Sequence, residues 1–187
     1  MAVFVALAAP VQELAPVMAD RLGSGPLGLG LLLGCMGGGA LIGAWALERL
    51  GRAGLPRHVA LPGASMMFAA GLAGVAVSPA LPVAMATIAF AGAFWIWMYA
   101  GTNTAVQLRS PPELLGRMLG LYQLAVIGPL AIGSLVAGAV AEQIGIRWTF
   151  GLCAALLATW GVWSLRNSVP EIDRPRRRGP LEVGGGA

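Results

Sequence analysis

The stretch His58–Leu108 reads HVALPGASMMFAAGLAGVAVSPALPVAMATIAFAGAFWIWMYAGTNTAVQL, without one Asp, Glu, Lys or Arg. As a single helix it would be about 75 Å long at 1.5 Å per residue, against a bilayer core of about 30 Å. It must therefore fold back on itself, and Ser78, Pro79, Ala80, Leu81 and Pro82 form the natural turn. Outward from this pair lie further uncharged intervals, Leu22 to Leu47, Met118 to Ala141 and Trp148 to Leu165, each close to the roughly 20 residues a crossing needs. With the amino-terminal segment they predict six spans, at about 1–18, 26–47, 59–77, 82–106, 119–141 and 148–165. Composition points the same way: 57% of residues are hydrophobic, 11% are charged and the mean hydropathy is +0.77. A soluble domain carries about a quarter charged residues, so soluble and disordered classes are both excluded. The expected fold is an all-α membrane protein.

The first span is the least regular, with Pro10, Gln12, Glu13 and Pro16 inside it. No basic residue precedes its apolar stretch, so it does not read as a secretory signal. Cys35 and Cys153 both fall in predicted spans, where apolar packing is the expected role.

Orientation follows from the basic residues, all of which are arginines. Six alternating spans place residues 48–58, 107–117 and the carboxy-terminal tail on one side, and 19–25, 78–81 and 142–147 on the other. Of the 12 arginines, only Arg21 and Arg147 belong to the second side. The positive-inside rule then predicts that both termini are cytoplasmic, in a cell (inner) membrane. Residues 166–187 change composition abruptly, with Arg174, Arg176, Arg177 and Arg178 followed by glycines. They read as a disordered basic tail, either a topology determinant or a contact for anionic headgroups. Nucleic acid is not an expected partner.

Sliding the chain along itself by 94 residues sets Gly34 on Gly128, Gly39 on Gly133, Glu48 on Glu142 and Gly51 on Gly145. An offset of three spans is odd, so the copies would lie in opposite orientations, a 3+3 inverted repeat. The segment Gly43–Arg52, GAWALERLGR, resembles the loop motif of the major facilitator superfamily. Asn103–Gly145, NTAVQLRSPPELLGRMLGLYQLAVIGPLAIGSLVAGAVAEQIG, is similar to the tenth and eleventh helices of its enterobactin-exporter-like bacterial branch. Residues 1 to about 165 resemble the second six of twelve helices, the carboxy-terminal half of such a fold. The motif departs from the family pattern in having Glu48 for the commoner Asp, and Ala44 where a glycine usually stands, with Gly43 one position earlier. The resemblance implies that Glu48, Arg49, Gly51 and Arg52 form a cytoplasmic latch whose acid faces a helix N-terminus of the opposite half. A plain helix end carrying positive-inside arginines is the other reading.

Glu13 is the one formal charge well inside a predicted span, with Gln12 beside it. An acid at mid-membrane costs roughly 2.5 to 3.5 kcal/mol, so it needs a reason. Either it loads and releases protons as access alternates, or it is an interfacial acid satisfied by water or Arg21. Trp97 and Asn103 in the fourth span, and Tyr122 and Gln123 in the fifth, combine aromatic area with uncharged polar groups. That combination suits a small organic substrate, or equally hydrogen bonding between helices. Gly30, Gly34 and Gly38, and again Gly39 and Gly43, recur every four residues, the spacing that lets helix backbones approach.

The glycine pattern GSGPLG at residues 23–28 mimics a dinucleotide fingerprint but lacks the strand that must precede it. The chain has no Lys for a phosphate loop, its lone His58 has no partners, and no cysteine–histidine cluster suits a metal. No enzyme activity, cofactor or metal is expected. The resemblance implies proton-coupled efflux of a small drug-like or siderophore-like molecule, together with a separate amino-terminal half. The alternative is a truncated or split-gene membrane subunit without transport of its own.

Overall fold

The computed structural model describes residues 1–52 and 57–167, and these are helical almost throughout, with no strand among them. The basic run Arg174 to Arg178, and with it the expected disorder of the tail, lies outside the described residues. Six helical stretches are long and apolar enough to cross a membrane: Ala2–Arg21, Gly25–Arg52, Ala60–Val77, Leu81–Arg109, Pro112–Ile144 and Ile146–Arg166.

The first of these is three short helices end to end, α1 (Ala2–Ala8), α2 (Pro10–Glu13) and α3 (Ala15–Arg21). The prolines cause the breaks. Pro10 and Pro16 have no N–H, so the carbonyls of Ala6 and Gln12 lose their in-helix donors. The backbone stays in register across the joints, with the Leu14 N–H donating to Pro10 O at 3.0 Å and the Met18 N–H to Leu14 O at 2.9 Å. The other five are single helices: α4 (Gly25–Arg52), α5 (Arg57–Val77), α6 (Leu81–Arg109), α7 (Leu115–Ile144) and α8 (Ile146–Arg166). Pro82 opens α6, where a missing N–H costs nothing, while α5 and α7 run on through Pro62 and Pro129. Gly145, at φ 85°, makes the left-handed turn that separates α7 from α8.

Packing follows the predicted internal symmetry. α4 lies against α6, and α1 against α7; α5 lies against both α6 and α8. Exchanging the first three spans for the last three converts the α4–α6 pair into the α7–α1 pair and maps the α5–α8 pair onto itself. The glycines repeat the symmetry at atomic detail. A Cβ on Gly39 would stand 1.9 Å from Ala89 O of α6, and a Cβ on Gly133, its repeat counterpart, 2.2 Å from Ala6 O of α1. Ala6 O is the carbonyl that Pro10 leaves without a donor, so the bare Gly133 backbone covers a proline-freed acceptor.

The buried core gathers Phe4, Phe68 and Trp95 from α1, α5 and α6, with ring centroids 5.1 to 6.0 Å apart. Outside it the surface is greasy. Leu27, Leu41, Leu124 and Leu135 are each at least 70% exposed, as expected where lipid or another helical bundle replaces water. Gly30, Gly34 and Gly38 each have open space where a Cβ would be, so no helix of the described bundle packs on them. They lie one above another on a face of α4 that nothing in the described bundle covers, whereas Gly39 and Gly43 face α6.

Candidate functional site

The predicted site residues separate into three places. The first is a polar knot between α6 and α7. Tyr122, early on α7, is buried, and its hydroxyl lies 2.9 Å from Thr102 Oγ1 and donates to the Tyr99 carbonyl at 3.1 Å. The Thr102 hydroxyl also reaches the Met98 carbonyl at 2.6 Å and Met1 Sδ at 3.6 Å. Tyr99 in turn contacts Gln123 Oε1 through its own hydroxyl at 3.3 Å. On the same α6 face, one and two turns further, Asn103 and Gln107 are bonded amide to amide. Tyr99, Asn103, Gln107 and Gln123 thus form a polar stripe along the arginine-rich half of the bundle, braced from behind by Tyr122 and Thr102. Tyr122 is the brace, and Gln123 is exposed beside it. The Met1 and Tyr122 partners of Thr102 were not legible, although a hydroxyl inside an uncharged span is costly to bury without one.

Trp97 is not in this group. Two residues from Tyr99, it points about 200° around α6, and its indole N–H donates to Gly43 O of α4 at 2.7 Å. The α4–α6 pair is therefore both close-packed and stapled by a hydrogen bond.

The second place is the joint between α2 and α3, where Gln12 and Glu13 are exposed on a side of the first span that the bundle leaves bare. Met1 sits at the level of Thr102, so Glu13 lies about 18 Å further along the span at helical rise. Acid and polar stripe are at different depths. Glu13 forms no ion pair among the described residues, and Arg21, the partner weighed for it, has its guanidinium near Gly145.

The third place is the end of α4. Arg52 donates to Glu48 Oε1 at 2.7 Å, one turn apart, with both side chains mostly exposed. The Arg49 guanidinium lies 3.9 Å over the Trp45 ring. The acid of the motif thus has a partner within its own helix. Exposed pairs of this kind contribute about 0.2 to 1 kcal/mol, so a stronger partner can displace Arg52. Gly51 lines a cavity beside Leu50. No group of three or more His, Cys, Asp or Glu among the described residues could hold a metal ion.

With this geometry in hand, comparison with known proteins is informative. A family model described as transmembrane secretion effector matches residues 1–180. The multidrug efflux pump Tap of Mycobacterium tuberculosis (strain ATCC 25618 / H37Rv) and that of Mycobacterium bovis (strain BCG / Pasteur 1173P2) are each 28% identical over 149 residues. That alignment covers 79% of this chain and 35% of each pump, so the chain spans about a third of the length of the curated relatives it matches. No solved structure matches.

Proposed function

Because the chain belongs to the transmembrane secretion effector family of the major facilitator superfamily, we propose that it works as the carboxy-terminal six-helix half of an exporter. With a separate amino-terminal half it carries a small organic molecule outward in exchange for protons. The observation that carries this reading is the family match over residues 1–180, on a chain with six helices long and apolar enough to cross a membrane. The polar stripe of Tyr99, Asn103, Gln107 and Gln123 supports an organic substrate, since it offers ring area and hydrogen bonds without fixed charge. Glu13 supports proton coupling: it is an acid on a bare face of a span, with no ion pair among the described residues, where a formal charge is costly and needs a reason. The arginines at the ends of α4, α6 and α8 support a cytoplasmic location for that end, with both termini inside.

The test is accumulation of a fluorescent aromatic amphiphile in inverted membrane vesicles under an imposed pH gradient. The vesicles contain this chain alone or together with an amino-terminal six-helix half. Uptake that requires both halves supports the proposal, and its loss in Glu13→Gln assigns the proton step. Absence of uptake in every combination defeats the transport reading, and unaltered uptake in Glu13→Gln removes the acid from it. A subunit without transport of its own is the second reading, prompted by the match covering 35% of each curated pump; it predicts no uptake in either combination.

A further inference from the structure

A partly enclosed apolar cavity of about 290 Å³ lies where the last turns of α4, the first turns of α5 and the second half of α6 meet, walled by Leu47, Leu50, Leu61, Trp97 and Ala100. It shares no residue with the polar stripe, from which it lies roughly 100° around α6. Its volume is at the floor of the roughly 300 to 1,000 Å³ that drug-sized ligands occupy, and its open side lets a longer chain extend beyond it. It also offers little to a polar guest. The Trp97 indole N–H is committed to Gly43 O, and Thr104 is the one hydroxyl residue in the lining. A hydrocarbon chain suits such walls, and within a bilayer hydrocarbon is the surrounding solvent. An unfilled recess there would forfeit dispersion contacts on every side.

The helix ends that frame the cavity select the head of that guest. Among the described side chains, Arg49 and Arg52 lie in the last turn of α4 and Arg109 closes α6, against the single acid Glu48. We propose that this cavity seats one acyl chain of an anionic phospholipid from the leaflet on the arginine-rich side, with the headgroup phosphate held at those helix ends. The internal repeat supplies a control. A second apolar groove, lined by Ile144, Trp148, Gly151 and Leu152, sits at the α7–α8 junction on the opposite side. Leu50 falls on Ile144 under the same 94-residue offset (144 − 50 = 94). In sequence its lining is flanked by Glu142 and Arg147, one charge of each sign, and Arg147 is committed to Ala76 O of α5 at 2.9 Å. The second groove therefore offers the same kind of wall without an anion-selecting mouth. This inference depends only on the membrane-spanning fold and stands whether or not the chain transports anything.

Native mass spectrometry of the full chain in detergent, with phosphatidylglycerol or phosphatidylcholine of matched acyl chains added, tests it. One phosphatidylglycerol should be retained per chain in preference to phosphatidylcholine, by about fivefold for each arginine that meets the head. Ala100→Phe, which fills the cavity, and the milder Ala60→Leu should lose the bound lipid, while Gly151→Leu in the opposite groove should keep it. Equal retention of the two lipids by the unaltered chain overturns the proposal and needs no variant to fold. So does retention by both filled variants, or equal loss in Gly151→Leu.

Discussion

At Gly39, Gly43, Gly92 and Gly133 the helix backbones touch so closely that an added Cβ would lie 1.9 to 2.3 Å from a carbonyl oxygen of the neighbouring helix. No rotamer relieves such a clash, because the obstacle is backbone on both sides. Gly39→Leu should therefore lower stability in detergent by about 1 to 3 kcal/mol or prevent assembly, whereas Gly30→Leu, into open space, should leave the thermal midpoint close to that of the unaltered chain. Differential scanning of the two purified variants separates them, and equal loss in both would remove the close approach as the cause. The four-residue glycine spacing was plain in the sequence, but which register faces a neighbour was not. Gly38 and Gly39 differ by one residue and about 100° of helix, and only the position of α6 decides between them. Trp97 shows the same limit. Its ring was visible as a polar-tipped aromatic in a span, yet its partner is a backbone carbonyl 54 residues away, which carries no sequence signal.

At the scale of elements, the six spans were legible because a charge in lipid is costly and the chain accordingly confines its charges almost entirely to the joints. The observed helices overrun the predicted spans by a few residues at nearly every end, since helices continue into the headgroup region where charges are tolerated. The splitting of the first span was foreshadowed by its prolines, while the use of Ala6 O by α7 was not. What holds α6 to α7 is chiefly the knot of Tyr122, Thr102 and Tyr99, and its worth can be measured. Hydrogen bonds between membrane helices average about 0.6 kcal/mol and reach about 1.7. A double-mutant cycle of Tyr122→Phe and Thr102→Val should return a coupling in that range, read from unfolding in mixed micelles. A value indistinguishable from zero would mean that ring packing, with Tyr99 and Tyr122 centroids 6.1 Å apart, supplies the contact instead.

For the whole molecule, the two triplets enclose a core but leave α4 and α7 with long apolar faces bare, including Leu41 and Ile42 on one and Leu124, Leu135 and Val136 on the other. Under the repeat Leu41 and Ile42 correspond to Leu135 and Val136, so the bare surface is itself pseudo-symmetric. Charge breaks this symmetry: the copy ending at Arg52 carries Arg49 where the copy ending at Gly145 carries Gln143. Summed over the loops, that difference is the signal from which the positive-inside rule predicts a cytoplasmic arginine-rich end. In a background of Cys35→Ala and Cys153→Ala, Glu113→Cys between α6 and α7 should react with an impermeant maleimide only after the cells are permeabilised. Gln143→Cys, near the α7–α8 turn, should react in intact cells. The opposite labelling pattern would put the arginine-rich end outside and overturn the cytoplasmic assignment of both termini.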